Sequence, residues 1–395
     1  MTLSLKLPNA SGQVQAYTLR GTTPVKPAPG VKFNRIAYSA AHVVADPLAA
    51  VDPWLQCAVD WDATIAYRQR LWSLGLGVAE AMDTAQRGMG LDWPTSLELI
   101  RRSLDAAKDV PGALVASGCG TDHLVLENVK TVDEVIAGYE EQMAAIEKLG
   151  GKLIVMASRA LARVAKSPAD YERVYDRILS QAKQPVVLHW LGDMFDPALK
   201  GYWGDNDPDK AMDTALAVIA AHPDKVDGIK ISLLDKDKEI AMRRRLPPGV
   251  RMYTGDDFNY AELIAGDGFG AEKTHGQSDA LLGIFDAIAP AASAALGELA
   301  QGNLQKFHDI LGPTVPLSRH IFAAPTRFYK TGVVFMAWLN GHQSHFTMVG
   351  GQQSTRSLQH FAELFRLADA ANLLEQPELA VRRMGTLLAL HGVEA

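Results

Sequence analysis

Two short segments decide the fold of this chain: Pro185-Val186-Val187-Leu188-His189 and, further along, Gly228-Ile229-Lys230-Ile231-Ser232. The first is apolar at successive positions and rich in valine, which is typical of a parallel strand buried on both faces. The second alternates isoleucine with small or polar residues, which indicates a strand with two different faces. Roughly 40 residues separate their starts, enough for a crossover helix. The sequence therefore predicts a strand-helix-strand unit of a parallel sheet.

Six further segments repeat this pattern. The starts of neighbouring segments are roughly 25 to 45 residues apart, so each interval has room for a helix. A capping box at Thr131-Val132-Asp133-Glu134 marks the start of one helix. We find no glycine-rich phosphate turn or switch point of an open, doubly wound sheet. Eight such units predict an α/β fold, a (β/α)8 TIM barrel. The six further strands are predicted at residues 36–44, 77–82, 113–116, 153–156, 250–253 and 281–285.

Elements outside the barrel are predicted at both ends of the chain. Residues 3–7 and 14–19 read as a β-hairpin with Asn9-Ala10-Ser11 as its turn. Residues 358–371 and 377–390 have helical periodicity. We therefore predict a hairpin extension over residues 1–34, the barrel over residues 35–301 and a helical C-terminal extension over residues 302–395. The C-terminal helices are also where we expect a homo-oligomer interface.

The composition is that of a globular enzyme acting on a small-molecule substrate. Hydrophobic residues make up 48% of the 395 residues, and Lys+Arg number 39 against Asp+Glu 45, a net charge of -6. No basic block is longer than Arg243-Arg244-Arg245, so we expect no nucleic-acid partner. The chain shows no apolar run of about 20 residues and no signal sequence, so we expect no membrane association. Cys57 and Cys119 form no CxxC pair, which fits a reducing cytoplasmic location.

Lys230 is the leading candidate for chemistry. In the predicted strand, Ile229 and Ile231 face the helices, so Lys230 points into the barrel. Burial there would lower the pKa of its amine, leaving a neutral nucleophile that can form a Schiff base with a carbonyl carbon. The structural alternative is a lysine that reaches solvent or pairs with a carboxylate.

His189 and Glu80 lie at the ends of two other predicted strands. His189 has a side chain suited to proton transfer or metal binding, or to a structural hydrogen bond. Glu80 is flanked by apolar residues and therefore needs a partner, for which Arg87 and Lys230 are candidates. Both residues are candidates for the barrel mouth.

Acidic residues follow the last two predicted strands. In the turn Thr254-Gly255-Asp256-Asp257, we expect Asp257 to cap the next helix and Asp256 to face the cavity, although aspartates at such turns are more often structural. Asp286 at the end of the eighth strand and His42 on the first complete the polar set. All of these polar residues are predicted at the same end of the barrel, the end that carries the active site in this fold. Their common location is the evidence that they belong to one site.

The ordered strand-end motifs resemble the dihydrodipicolinate synthase / N-acetylneuraminate lyase superfamily of class I aldolases. The motifs are Pro185-Val186-Val187-Leu188, Gly228-Ile229-Lys230, Thr254-Gly255-Asp256-Asp257, Leu282-Gly283-Ile284-Phe285 with Ala289-Pro290, and Pro325-Thr326-Arg327-Phe328-Tyr329-Lys330. The resemblance implies a barrel lyase with Lys230 as the Schiff-base lysine and Asp256 as a residue of the site.

The chain departs from that family at the substrate end. His189 stands where the family has a proton-relaying tyrosine, and the arginine that usually follows is missing from residues 190–195. Where the family's Gly-Thr-Thr-Gly-Glu loop holds a carboxylate, this chain keeps only Thr84 and has Asp83, which would repel a carboxylate. We therefore expect Asp83 and Thr84 to position a polar end of the substrate that is hydroxyl-bearing.

The leading hypothesis is a Schiff-base lyase or aldolase that needs no cofactor. Lys230 is its nucleophile and His189 its proton shuttle, and the substrate is a small carbonyl compound, a 2-oxo acid or a sugar derivative. The first alternative is a metal-dependent barrel lyase or isomerase with Glu80, His189 and Asp256 as ligands. We expect no metal, because a cation and the amine of Lys230 exclude each other. The second alternative is a non-catalytic metabolite-binding barrel.

Five residues form the proposed substrate-binding set. It consists of Asp83, Thr84, Glu80, Asp256 and Asp286. Covalent trapping separates the aldolase from both alternatives, and metal content separates the alternatives from each other.

Overall fold

The computed structural model describes residues 3–20, 23–27, 30, 32–268 and 273–393, and it begins with the predicted hairpin. Strands β1 (Ser4–Pro8) and β2 (Val14–Thr18) pair antiparallel. The side chain of Asn9 closes the turn by accepting hydrogen bonds from the backbone N–H groups of Ser11 and Gln13, both at 3.0 Å. The hydroxyl of Tyr17 donates to Asp369 at 2.6 Å, which fixes the hairpin to the C-terminal helices.

Eight parallel strands close into a barrel, so the predicted TIM barrel is confirmed. The strands follow one another around the barrel in chain order, and the last pairs with the first to close it. They are β3 (Ala37–Ala40), β4 (Gly77–Glu80), β5 (Val115–Cys119), β6 (Lys152–Met156), β7 (Val186–Leu191), β8 (Val226–Ser232), β9 (Arg251–Thr254) and β10 (Asp279–Leu282).

Helices surround the barrel. Those up to the last strand are α1 (Trp61–Ser73), α2 (Trp93–Ala107), α3 (Val132–Lys148), α4 (Arg159–Val164), α5 (Pro168–Gln181), α6 (Pro208–Ala221), α7 (Lys236–Arg243), α8 (Tyr260–Ala265) and α9 (Lys273–Gly276). The predicted capping box of α3 is present, with the backbone N–H of Thr131 donating to Glu134 at 2.8 Å. Within the described ranges, no helix is both long and apolar enough to span a bilayer.

The rest of the chain is helical, as predicted. Its helices are α10 (Ile284–Ala287), α11 (Ala289–Ala300), α12 (Leu304–Leu311), α13 (Val315–Ile321), α14 (Tyr329–Leu339), α15 (Leu358–Ala370) and α16 (Pro377–Leu390). Every residue of α14 is buried. The predicted helices at residues 358–371 and 377–390 match α15 and α16 to within one residue. The domain boundaries, the homo-oligomer and the cytoplasmic location stay predictions.

Three predicted strands extend too far toward the C-terminus, and one of them is the strand predicted at residues 77–82, which ends at Glu80. β3 ends at Ala40, because beyond it the backbone N–H of His42 donates to the side chain of Asp286 at 2.7 Å instead of to a neighbouring strand. At the eighth strand, Ile284 and Phe285 already belong to α10.

Apolar side chains fill two separate layers. A small cluster inside the barrel includes Ala79, Ile154 and Val187, whereas a much larger core lies between the strands and the helices. On β7, Val187 belongs to the inner cluster and Leu188 to the outer core. Because neighbouring residues of a strand face opposite sides, His189 points into the barrel.

Candidate functional site

A cavity of about 220 Å³ lies at the carboxyl ends of β4 to β7. This is the end of the barrel that carries the chemistry in enzymes of this architecture. The volume corresponds to about seven water molecules, which suits a small metabolite. The polar side chains in its wall include those of Asp83, Arg87, Thr121, Arg159, His189 and Asp196.

Lys230 lies inside the barrel beside this cavity. Ile229 and Ile231 belong to the outer core, so the lysine between them faces inward, as the sequence predicted. The side chain is buried, and its amine makes no hydrogen bond to any described residue. Burial lowers the pKa of Lys230 below its usual value, against the opposing effect of Asp257 and Asp83. A larger fraction of neutral amine is the consequence.

Gly255 makes room for the lysine side chain. A Cβ atom at this position would lie 2.7 Å from Cε of Lys230 and 2.5 Å from the carbonyl oxygen of Ile231. Any side chain at position 255 would therefore displace the lysine or the strand that carries it.

The turn after β9 corrects the sequence interpretation of its two aspartates. Asp256 was expected to face the cavity, yet its carboxylate caps the turn by accepting from the backbone N–H groups of Phe258 and Asn259 at 2.8 and 3.0 Å. Asp257 was expected to cap the helix, yet it is the carboxylate that acts on Lys230. Burial raises the pKa of Asp257 to about 7, and Lys230 opposes that rise. The two roles are exchanged because Asp256 turns back over its own loop.

His189 stands next to Lys230 on the neighbouring strand. The two residues are in register between β7 and β8, and Nε2 of His189 lies 3.2 Å from Oγ of Ser232. Burial, with a further contribution from Lys230, holds the pKa of His189 well below its usual range. His189 is therefore a neutral imidazole at the wall of the cavity.

Asp83 and Thr84 form a single turn of 3-10 helix after β4. The positive φ of Ala81, 52°, ends the regular strand and turns the chain toward the mouth. Asp83 reaches the cavity, and its carboxylate makes no hydrogen bond to a described residue. The hydroxyl of Thr84 is 2.8 Å from the hydroxyl of Tyr329, so the C-terminal helices meet the barrel at this turn.

Glu80 does not belong to the site. Ala79 faces the inside of the barrel, so Glu80 faces the helices, where Arg68 of α1 binds it through two hydrogen bonds of 2.9 and 2.8 Å. Ser103 of α2 donates to it as well. The partners expected from the sequence, Arg87 and Lys230, are not the ones that bind it.

Asp286 is likewise held away from the cavity. Its carboxylate accepts from the backbone N–H of His42 at 2.7 Å and contacts the ring Nδ1 of His42 at 2.8 Å. Both side chains are fully buried. The pair joins the end of β3 to α10, which is a structural role.

The three ligands of the metal-dependent alternative do not converge. Glu80 faces the helices, Asp256 caps its own turn, and His189 alone lines the cavity. In the described part of the chain, no group of three or more His, Cys, Asp or Glu side chains is arranged to hold a metal ion.

Two residues from α14 lie close to the turn that carries Asp83 and Thr84, outside the cavity lining, and the sequence had assigned neither of them a role. Tyr329 stacks on Phe322, with ring centroids 4.3 Å apart, and its hydroxyl meets Thr84. Lys330 is buried, and burial lowers the pKa of its amine to about 8. A lysine next to the run Val333-Val334-Phe335-Met336 is the signal that could have identified it.

Solved structures of the dihydrodipicolinate synthase family share this fold. Dihydrodipicolinate synthase from Aquifex aeolicus is 12% identical, with a TM-score of 0.63 over 87% of this chain and 99% of that one. A putative dihydrodipicolinate synthetase from Pseudomonas aeruginosa is 16% identical, with a TM-score of 0.62 over 85% and 99%. The resemblance inferred from the strand-end motifs is thereby confirmed at the level of the fold.

A third structure was solved with a ligand. It is a prophage protein of the dihydrodipicolinic acid synthase family from E. coli K12, in complex with pyruvate, 15% identical and with a TM-score of 0.60 over 91% of this chain and 99% of that one. Curated protein sequences gave no match. The family model described as "Protein of unknown function (DUF993)" matches residues 5–393. Because that match spans nearly the whole chain, the protein belongs to the DUF993 family, and its barrel has the fold of the dihydrodipicolinate synthases.

Proposed function

We propose that the protein is a Schiff-base-forming lyase of the class I aldolase type, with Lys230 as its nucleophile. The observation that carries this proposal is a buried lysine side chain inside the barrel whose amine has no hydrogen-bond partner among the described residues and lies within electrostatic range of Asp257. The amine is not one of the fully buried polar atoms that lack a partner, so it keeps an open side from which a substrate can approach. Perturbed groups of this kind cluster at active sites.

The reaction begins with attack of the neutral amine of Lys230 on the substrate's carbonyl carbon. The resulting carbinolamine loses its hydroxyl group as water, which leaves a protonated imine that withdraws electrons from the neighbouring carbon. The carboxylate of Asp257, formed when it gives its proton to the departing water, then removes the proton of the substrate hydroxyl group two carbons from the imine carbon. The bond between the two carbons next to the imine breaks, its electron pair moves to the imine to form an enamine, and the other fragment leaves as a carbonyl compound. Protonation and hydrolysis of the enamine then return the free lysine.

Asp257 is the residue that we assign to proton transfer in this scheme. A carboxyl group with a pKa of about 7 can donate a proton to the departing hydroxyl and later accept one. His189 is held neutral, so we assign it hydrogen bonding to the substrate. This assignment replaces the histidine proton shuttle of the sequence hypothesis.

Asp83 and Thr84 are proposed to position the polar end of the substrate. The free carboxylate of Asp83 in the cavity wall can accept hydrogen bonds from substrate hydroxyl groups. Further support comes from the shared fold with dihydrodipicolinate synthases and with the relative solved in complex with pyruvate. The chemistry of those proteins is the source of the lyase class proposed here.

Borohydride trapping tests the proposal directly. The protein is incubated with a panel of 2-oxo acids and aldehydes, treated with borohydride and mapped by peptide mass spectrometry. We expect hydride addition to the imine carbon, leaving a secondary amine on Lys230. The control is Lys306→Met, which removes an exposed lysine. Modification of other lysines only, or no adduct with any carbonyl compound, would favour the non-catalytic metabolite-binding barrel.

A further inference from the structure

Lys330 is the second buried lysine of the described chain, and the Schiff-base scheme does not use it. Its side chain is 3% exposed. Its amine contacts Sδ of Met89 at 3.1 Å and makes no hydrogen bond to an oxygen atom of a described residue. Sulfur is a weak acceptor, so most of the donor capacity of this amine is unused. An unsatisfied buried cation indicates a place for an anion or another acceptor.

Three of the four charged groups that act on Lys330 belong to the wall of the cavity, and the fourth, Arg327, does not. Asp83, Arg159 and Asp196 all act electrostatically on the amine of Lys330, and all three line the cavity that contains His189. Nε of Arg159 already binds Asp196, but the arginine side chain is 45% exposed, which leaves its terminal nitrogens accessible. Lys330 and Arg159 therefore supply cationic donors to the same side of the site.

We propose that Lys330, assisted by Arg159, binds an anionic group of the substrate, a carboxylate or a phosphate, at a distance from the carbonyl carbon that reacts with Lys230. This inference rests on the proposed Schiff-base function and adds a substrate class to it. The substrate is a small carbonyl compound with an anionic group at its far end.

The carboxylates next to Lys230 place the anion at that far end. The charged groups that act on the amine of Lys230 are the two carboxylates of Asp257 and Asp83, whereas around Lys330 two arginines offset the two carboxylates. A carboxylate attached directly to the reacting carbon would therefore meet more like charge than an anion beside Lys330. Asp83 also acts on Lys330, so it is within electrostatic range of both amines. Hydroxyl groups between the carbonyl and the anion would find their acceptor in Asp83.

Matched pairs of probes test this inference by borohydride trapping at Lys230. Succinic semialdehyde is compared with butyraldehyde, and glyceraldehyde 3-phosphate with glyceraldehyde, so that the arms distinguish carboxylate from phosphate. We expect the wild-type protein to trap one anionic probe at least tenfold faster than its neutral partner. Lys330→Met should slow trapping of that anionic probe by about 10- to 100-fold and leave the neutral probe unchanged. Lys330→Arg should keep part of the preference for the anionic probe over its neutral partner. Lys306→Met should keep all of that preference.

The outcomes separate this inference from the proposed function. Trapping at Lys230 without any preference for the anionic probes, or an equal loss for both probes in Lys330→Met, overturns the role of Lys330 and leaves the Schiff base intact. If no probe is trapped, the Schiff-base hypothesis fails. The anion site is then tested by comparing the thermal stabilisation of the protein by glycerol 3-phosphate with that by glycerol. Stabilisation by the phosphate that Lys330→Met abolishes supports the anion site, and its absence in the wild type overturns it. If the circular dichroism spectrum shows that Lys330→Met does not fold, the anion site is judged from the wild-type protein alone, by the ratio of its trapping rates for the anionic and neutral probes.

Discussion

Two sets of buried, oppositely charged side chains lie at the barrel strands, and the hydrogen bonding of the two sets differs. Arg68 and Glu80, outside the barrel wall, share two hydrogen bonds, and Ser103 and the backbone N–H of Ala81 donate to the same carboxylate. Lys230 and Asp257, inside the wall, share no hydrogen bond, and the only described donor to the carboxylate of Asp257 is the backbone N–H of Ile284 at 3.0 Å.

Under the proposed function, the difference separates a structural pair from a reactive one. A fully bonded ion pair keeps its protons where they are, because each charge is stabilised by several neighbours. Lys230 and Asp257 lie too far apart to form an ion pair, and burial lowers the pKa of the amine and raises the pKa of the carboxyl group, so the two values approach each other. Burial of charge alone would have marked both pairs as functional, whereas hydrogen bonding distinguishes them.

The largest effect is expected from Lys230→Met. The variant has no nucleophile, so covalent trapping and any lyase activity should fall below detection, while the free energy of unfolding stays the same or rises because a poorly solvated amine has been removed. Urea unfolding and borohydride trapping measure the two quantities. A large loss of unfolding free energy in this variant would show that Lys230 has a structural role like that of Arg68.

Arg68→Met should act in the opposite way. Removing the arginine leaves the carboxylate of Glu80 buried without its partner, which should cost about 3–5 kcal/mol of unfolding free energy. Urea titration by circular dichroism gives this number, and trapping at Lys230 in the folded fraction should persist. A loss below about 1 kcal/mol would contradict a structural role for the pair.

Asp257→Asn should have an intermediate effect, visible in the pH profile. Trapping at pH 7 should slow by about 100-fold, because no acid remains to assist loss of water. The nearby carboxylate raises the pKa of Lys230, so its removal should lower that pKa and move the acidic limb of the rate profile to lower pH. Trapping rates from pH 5 to 10 for both proteins measure the shift. An acidic limb that stays in place or moves to higher pH would show that Asp257 does not face Lys230.

The smallest effect is expected at an exposed pair. Arg101 bonds to Glu98 at 2.7 and 2.8 Å with good geometry, but its side chain is 43% exposed. Arg101→Met should leave the free energy of unfolding almost unchanged, because solvent screens an exposed pair. The same urea titration serves as the control for Arg68→Met, and equal losses in the two variants would mean that burial does not decide the strength of these pairs.

The sequence predicted the fold better than the site. Each barrel strand is a local pattern, so all eight were found, and the alternation on β8 correctly turned Lys230 inward. Glu80 was assigned to the mouth because nothing in the sequence revealed Arg68 on its other side. The predicted roles of Asp256 and Asp257 were exchanged. The backbone of their turn decides which carboxylate bends back over the loop, and two adjacent aspartates give no sequence signal for that choice.

Other parts of the site depend on contacts between distant segments. Lys330 acts on Asp83 although roughly 250 residues separate them along the chain, and no local periodicity reports such a meeting. The hydrogen bond between Tyr329 and Thr84 also joins distant segments, so the local sequence does not predict it. The resemblance of the strand-end motifs pointed to Lys230 as the proposed nucleophile, while the contribution of α14 is visible only in the folded structure.

The contact of α14 with the barrel mouth sets an order of events during synthesis. On the ribosome the chain emerges from its N-terminus, so all eight strands leave the exit tunnel before Tyr329 and Lys330 do. A nascent barrel already holds Lys230 and Asp257, but Thr84 lacks its tyrosine partner until α14 follows. A gene truncated after the last strand would therefore encode the proposed nucleophile without the tyrosine that bonds Thr84 and without Lys330, so a shortened version of this protein has to retain the distal helices.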